Sequence, residues 1–491
     1  MFAPPNPTHH KTSLWRSRAL RSTLAHVSFV VISFVSPNLE AQPAPVAAPT
    51  KAAATNPADK PAPRQSRASV SRVAESIAAD LAHVPAKALV VASPLTSDAP
   101  APRGSELALL LATQLAGRRG AGSRAFAKPL ALAEARIEAR QSDALVMLKV
   151  EIAAGKLRAV ADVFPVPRTV WARVRDPEPG PIAHAFAEAP IDAEVRTYLA
   201  PVPIAQVNVV RGQHFESDVV ALGCADIDAD GAAEIISVSR RRVTTLRLRE
   251  GKVVPLRSRN WTDLSPLAPV PLREPIGLAA VVERPAQHGD AAFFVEVGLS
   301  DRSKSVRLDG QLDVVATLAG LPLGAGETSA CVRVHQPWIS GPLVPCAAGD
   351  RAIRVSLTGS YDAMASASLV TPTGDAFAVF AARTDRGVLE VRDDAGHATT
   401  VDGAGAQLAV GDLDQDGNPE ILSSLDVPAG TTDAVVVRSW LDRSAPKATR
   451  PKEMLRVPAA AGVHAMAVCP PDGPGRAPFV VATADEIWVV R

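Results

Sequence analysis

Three observations predict a multidomain chain, a small α/β domain followed by an all-β propeller of about 5–7 blades. Helical and strand patterns alternate up to residue 200, and beyond it short apolar strands are separated by Gly, Asp and Pro turns. In that second region an acidic motif, D-x-D-x-D-G-x-x-E followed by aliphatic residues, occurs twice. A strand–loop–strand outline built on it recurs roughly every 35–60 residues. The expected organisation is an export signal over 1–41, a Pro/Ala-rich linker over 42–64, the α/β domain over 65–200 and the propeller over 201–491.

The first segment carries Lys11, Arg16, Arg18 and Arg21 ahead of an apolar run over 25–35, interrupted by His26, Ser28 and Ser33. Ala41 offers a small residue for cleavage before Gln42, the pattern of a signal peptide. The run is shorter than the ~20 residues of a comfortable span, so an uncleaved signal would leave at most one amino-terminal anchor. Export to the periplasm, the outer surface or the medium follows. Disulfides persist in those compartments. Cys331 and Cys346 flank a Pro/Gly-containing loop that suits a local pair, whereas Cys224 and Cys469 fall in apolar strand patterns and read as buried free thiols. The linker, dominated by Ala, Pro, Thr and Lys, has too little apolar surface to order itself.

A formal charge of +1 gives no electrostatic reason for nucleic acid or an anionic membrane as partner. Only 4% of residues are aromatic, two of them Tyr, so platforms for stacking bases or sugars are scarce.

Within 65–200, Val70, Val73, Ile77 and Leu81 stand at helical spacing, and 88–93 reads as a buried strand. Residues 105–115 predict a helix with Ser105 as cap, and 129–141 a helix opened by Pro129. Residues 145–152 and 156–164 alternate as a hairpin around Gly155; 169–175 reads as a third strand and 191–199 as a closing helix. This element order resembles the amino-terminal domain of TolB and of CsgG/FlgO-type envelope proteins.

The acidic motif carries the chemistry. Its copies are Asp226-Ile-Asp228-Ala-Asp230-Gly-Ala-Ala-Glu234 and Asp412-Leu-Asp414-Gln-Asp416-Gly-Asn-Pro-Glu420. Three carboxylates at alternate positions around a tight turn, closed by a fourth at position nine, suit a hard cation that takes oxygen ligands. In an EF-hand the closing Glu comes at position twelve on a helix; here it opens a β-rich segment, which points to calcium in a β-hairpin loop. A merely solvated Asp-Gly turn is the alternative for each copy. Recurrence at one place in a repeat favours the ion, because four like charges in nine residues repel. Further modules lie at 276–297, 365–381 and 463–482, with a poorer match at 331–355.

With their flanking strands, 219–236 and 408–422, the two copies resemble FG-GAP/VCBS-type repeats, relatives of the integrin α-subunit propeller that occur in exported bacterial proteins. The resemblance covers the last three-fifths of the chain. It implies about two structural calcium sites. Asp226, Asp228, Asp230 and Glu234 would supply side-chain oxygens with a backbone oxygen from Ala232; Asp412, Asp414, Asp416 and Glu420 would do so with a carbonyl from Asn418. Glu at position nine departs from the family, which often has Asp there.

Signals for catalysis are thin: the chain has no G-x-S-x-G, H-E-x-x-H or Walker A motif. The stretch 324–329 lacks the Lys of a phosphate loop and reads as a turn, and the ten His are scattered. Arg240, Arg241 and Arg242 form a positive tip between two strands, a solvated hairpin end or a contact for an acidic polymer. The reading is a non-enzymatic, calcium-stabilised binding or scaffolding protein of the cell envelope with a protein or glycan partner. A TolB-like component docking through its α/β domain, and a hydrolase or lyase with its site in the propeller's axial pocket, are the alternatives.

Overall fold

Val70, Val73 and Ile77 form the buried stripe of α1 (Ser69–Asp80), the first element of the computed structural model. Described are residues 68–491, apart from 86, 215, 229, 231, 272–273, 285–291, 326–327, 336–337, 348–349, 351–354, 356, 372, 374, 429–430, 441–450 and 472–474. The expected signal and linker, residues 229 and 231 of the first acidic loop, and the turn residues at 288–290 and 472–473 lie outside them.

After α1 come β1 (Ala88–Ala92), β2 (Thr96–Ser97), α2 (Gly104–Arg118), β3 (Arg124–Ala125), α3 (Leu132–Glu138), β4 (Ala144–Ala153), β5 (Lys156–Pro165), α4 (Val170–Arg175), β6 (Ala183–Pro190) and α5 (Ala193–Arg196). The sheet order is β3-β1-β4-β5-β6 with β2 on β4, parallel from β3 to β4 and antiparallel beyond. Alternate residues of β1 and β4 face opposite sides. Val90, Val146 and Leu148 pack with α1 and α2, while Leu89, Val91 and Leu145 pack with Ala135 of α3. The β4–β5 turn has Ala154 and Gly155 at φ 51° and 73°, the handedness that matches strand twist.

Several local expectations change. Ser105 lies inside α2, whose cap position is Arg103, with no side-chain cap bond. The helix expected from Pro129 starts at Leu132. Residues 170–175 are helical rather than extended, because Thr169 caps α4 by accepting the Ala172 N–H at 3.1 Å. The edge strand β6, antiparallel to β5, falls in a stretch to which the sequence reading assigns no element.

The next strand, β7 (Val209–Gln213), precedes a run of antiparallel groups. The first group is β8 (Val219–Ala225), β9 (Glu234–Ser239), β10 (Arg242–Arg249) and β11 (Lys252–Asn260), followed by the single turn α6 (Trp261–Leu264). The second is β12 (Gly277–Arg284), β13 (Ala292–Leu299), β14 (Ser305–Leu308) and β15 (Val314–Leu318). The third is β16 (Leu321–Ala325), β17 (Thr328–His335) and β18 (Trp338–Pro345). The fourth is β19 (Ser360–Val370), β20 (Ala376–Thr384), β21 (Leu389–Asp393) and β22 (Ala398–Val401). The fifth is β23 (Ala404–Gly411), β24 (Glu420–Leu425), β25 (Asp433–Ser439) and β26 (Lys452–Ala459). The last is β27 (Ala465–Val468), β28 (Phe479–Ala482) and β29 (Glu486–Val490). Here β7 returns as the outer strand, antiparallel to β29 from Val209↔Val490 to Gln213↔Glu486.

The first strand of each group touches the first strand of the next, and the series β8, β12, β16, β19, β23, β27 closes back on β8. This is a β-propeller ring. Its core lies between neighbouring sheets: Ile236 and Val238 pack with Val295 and Val297, and Val391 packs with Ile421. The poorer sequence module proves to be placed one strand late, since the inner hairpin there is β16–β17.

Both cysteine pairs are disulfides, which corrects the expectation of free thiols at Cys224 and Cys469. Cys224, in β8, and Cys469, just after β27, stand on adjacent inner strands with Cα atoms 4.8 Å apart. Ring closure makes neighbours of residues 245 positions apart. Cys331 and Cys346 pair locally, as their spacing allows.

Candidate metal loops and the axial cavity

The two acidic loops occupy the same place in their groups, between the inner strand and the second strand. Ala225 pairs with Glu234 in one and Gly411 with Glu420 in the other. Both glutamates are buried, and each turns one oxygen back to its loop. Glu234 Oε2 accepts the Ile227 N–H at 2.7 Å, and Glu420 Oε2 the Leu413 N–H at 2.7 Å. The strand pairings and the glutamate bonds match; the groups that face the carboxylates do not.

In the second loop Gln415 and Gly417 take φ of 60° and 85°, bending the chain so that its N–H groups point inward. Asp412 accepts the Asp416 and Gly417 N–H groups at 3.0 and 2.9 Å, and Asp414 accepts Asp416 N–H at 3.3 Å. Asp412, Asp414 and Glu420 present carboxylate oxygens within 4.8 Å of one another. Asp416 is turned instead to the Asn418 backbone N–H and side-chain amide, at 2.7 and 3.1 Å. Burial pushes Asp412 up to about 7, with Asp416 and Asp414 adding repulsion against the Gly417 N–H. Burial and then Asp416 raise Asp414 to about 6, and burial with Asp414 holds Glu420 well above the carboxylate range. Arg196 of α5 attracts Asp414 and Asp412, yet their affinity for protons stays high.

The first loop holds a guanidinium. Arg247, on β10 and 8% exposed, donates from Nε to Glu234 Oε1 at 2.5 Å and from Nη1 to Asp230 Oδ2 at 2.7 Å. Its Nη2 donates to Asp230 Oδ1 at 2.8 Å, Asp228 Oδ1 at 3.1 Å and the Ala232 carbonyl at 3.2 Å, and also reaches Glu234. The Arg247 bonds hold Asp230 below the usual carboxylate range, whereas burial keeps Glu234 raised against the same pull. Asp226, Asp228 and Asp230 also present oxygens within 4.8 Å of one another. Sequence reading placed Arg247 in a strand without linking it to the loop. The detectable signal was register: β10 pairs Leu246 with Ile235, so the next residue stands beside Glu234.

The inner strands enclose an axial cavity of about 1450 Å³. Its wall is small and weakly polar, with Val220, Ala279, Ser366, Ser368, Gln407 and Ala467 among the lining residues. Asp226 and Asp412 reach it from the two loops, and Arg72, Lys156 and Glu188 line it from the amino-terminal elements. Lys156 Nζ and Glu188 form an ion pair at 2.5 Å, while Asp218, Asp362 and His464 come from at or near the starts of inner strands. In the arginine tip, Arg240 pairs with Glu274 at 2.9 Å and Arg242 pairs with Glu216.

No family model matches the chain, and no curated protein sequence matches it. Among solved structures it is similar to a Dos1 propeller, with TM-score 0.31 and 9% identity over 70% of this chain and 78% of that one. TolB from Acinetobacter baumannii gives TM-score 0.25 and 10% identity over 82% and 93%. A glucose dehydrogenase gives TM-score 0.31 and 11% identity over 58% and 98%. Likeness at this level says nothing about activity.

Proposed function

We propose that the protein is an exported, non-enzymatic binding or scaffolding component of the cell envelope, built from an α/β domain over 65–200 and an FG-GAP/VCBS-like propeller stabilised by calcium. The observation that carries the calcium reading is the second loop. There Asp412, Asp414 and Glu420 converge, the two aspartates half-buried and the glutamate buried, and Ser439 rather than a cation faces Glu420 on the neighbouring strand. Asp412, Asp414 and Glu420 would hold a calcium ion, whose preference for several oxygens matches carboxylates and loop carbonyls. The ion would rigidify the turn between β23 and β24.

Two disulfides support an oxidising compartment. Among the described residues no helix is long and apolar enough to cross a membrane. The axial cavity suits recognition better than a hydrolase or lyase reaction, because its charged groups come from helix α1, loops and strand ends while the wall between is mostly apolar with Ser and Gln. A protein or glycan partner entering there would meet Arg72, Lys156 and the acidic loop ends.

Calorimetric titration with calcium, paired with thermal unfolding in calcium and in chelator, tests the proposal. Saturable binding with a higher melting temperature is expected, with both effects lost in Asp412→Ala/Asp414→Ala. At a hundredfold excess over Kd, linkage supplies about 2.7 kcal/mol. No binding and an unchanged melt would reject the calcium reading.

A further inference from the structure

The two acidic loops share their motif and the strand pairing of the closing glutamate; they differ at the position on the adjacent strand that faces that glutamate, and Arg196 of α5 attracts the carboxylates of the second loop from outside its group. In the first group Arg247 stands beside Glu234; in the fifth, Glu420 pairs directly with Ser439. A serine carries no charge, and Ser439 Oγ donates to the Lys452 carbonyl at 3.5 Å. Arg247 takes up Asp228, Asp230, Glu234 and the Ala232 carbonyl, four of the five groups that would ligate calcium in the first loop. We propose that Arg247 is the resident cation of the loop 226–234, which therefore binds no divalent ion, and that the chain takes one calcium rather than two. The count of one rests on the calcium reading of the loop 412–420; the exclusion from the first loop does not.

The physical reason is competition for the same oxygens. A guanidinium is planar, permanently charged and carries five N–H donors, so it neutralises several carboxylates at once. Calcium could enter only by displacing it. Arg247 would then keep its charge in a nearly closed site beside a dication, having lost every partner that offset its desolvation. The Arg/Ser difference thus acts as a selector between an internal and an external cation on one loop motif.

Calcium calorimetry on four full-length proteins tests this. One equivalent is expected for wild type, one for Asp228→Asn with Kd unchanged to about twofold, none for Asp414→Asn, and one more than wild type for Arg247→Ser purified in calcium. Two equivalents in wild type, or loss of an equivalent in Asp228→Asn, would overturn the proposal without requiring Arg247→Ser to fold. A folded Arg247→Ser, checked by near-ultraviolet circular dichroism, that gains no equivalent would also overturn it. No binding in wild type with one equivalent in Arg247→Ser would reject the second-loop reading and leave the assignment of Arg247 standing.

Discussion

Cys224 and Cys469 are joined across the seam where the last inner strand meets the first, 245 residues apart in sequence. The other disulfide, Cys331–Cys346, spans a separation of 15. Loop-closure entropy scales with the logarithm of the enclosed length, giving about 5 kcal/mol for the first and about 3 kcal/mol for the second. Urea midpoints of Cys224→Ala/Cys469→Ala and Cys331→Ala/Cys346→Ala should therefore both fall, the first further. Equal midpoints would mean that the seam is held by its strands alone.

Glu194 of α5 has one carboxylate oxygen, Oε2, buried without a hydrogen bond among the described residues. Burial and then the charge of Asp192 raise it from 4.5 to about 7. The folded state therefore binds more protons than the unfolded chain between these values, so stability falls as pH rises through that window and is flat above it. Glu194→Gln should raise the melting temperature by about 1–3 °C at about pH 8 and leave it unchanged at about pH 4. A gain of equal size at both pH values would show that charge is not the cause.

Gly411 ends β23 immediately before the second acidic loop, against β27. A Cβ there would lie 2.6 Å from Cγ1 and 2.8 Å from Cβ of Val468. Gly411→Ala should cost about 1–3 kcal/mol by overpacking. Adding Val468→Ala should recover part of the loss, a coupling read from the double-mutant cycle. Simple additivity would place the strain elsewhere.

Glu296, fully buried on β13, accepts from Arg307 Nε at 2.6 Å and Ser329 Oγ at 3.0 Å, and Arg307 also donates to Asp350 at 3.0 Å. Burial raises the Glu296 carboxyl despite the guanidinium. Arg307→Met strands that group and should destabilise by about 3–5 kcal/mol; Glu296→Gln/Arg307→Met should be less damaging. Denaturant unfolding of the two variants distinguishes a stranded charge from lost packing.

Local patterns were legible in the sequence where one hairpin contains them. The β12–β13, β19–β20 and β27–β28 pairs follow from apolar runs around turn residues, and both acidic ladders sit where the repeat puts them. What escaped was non-local or marginal. The Cys224–Cys469 bond depends on ring closure, which no local window contains. Arg247 follows Glu234 by 13 positions on the next strand, and alternation alone reads it as an outward polar residue. Helix α4 is six residues long, and Val170, Trp171 and Val174 are all exposed, so the β-branched content of 169–175 outweighed the Thr169 cap.

The pairing of β7 with β29 also fixes an order of events. Asn208 and Arg491 exchange backbone hydrogen bonds of 2.6 and 2.9 Å, so the strand that opens the ring is partnered by the one that completes it, made more than 270 residues later. Through most of translation β7 has an unfilled edge, and the ring is sealed only once β29 has emerged. Such long-range pairing slows folding. Ribosome-stalled chains ending before Glu486 should accordingly remain open to proteolysis near Val209, and completion of β29 should confer protection in one step.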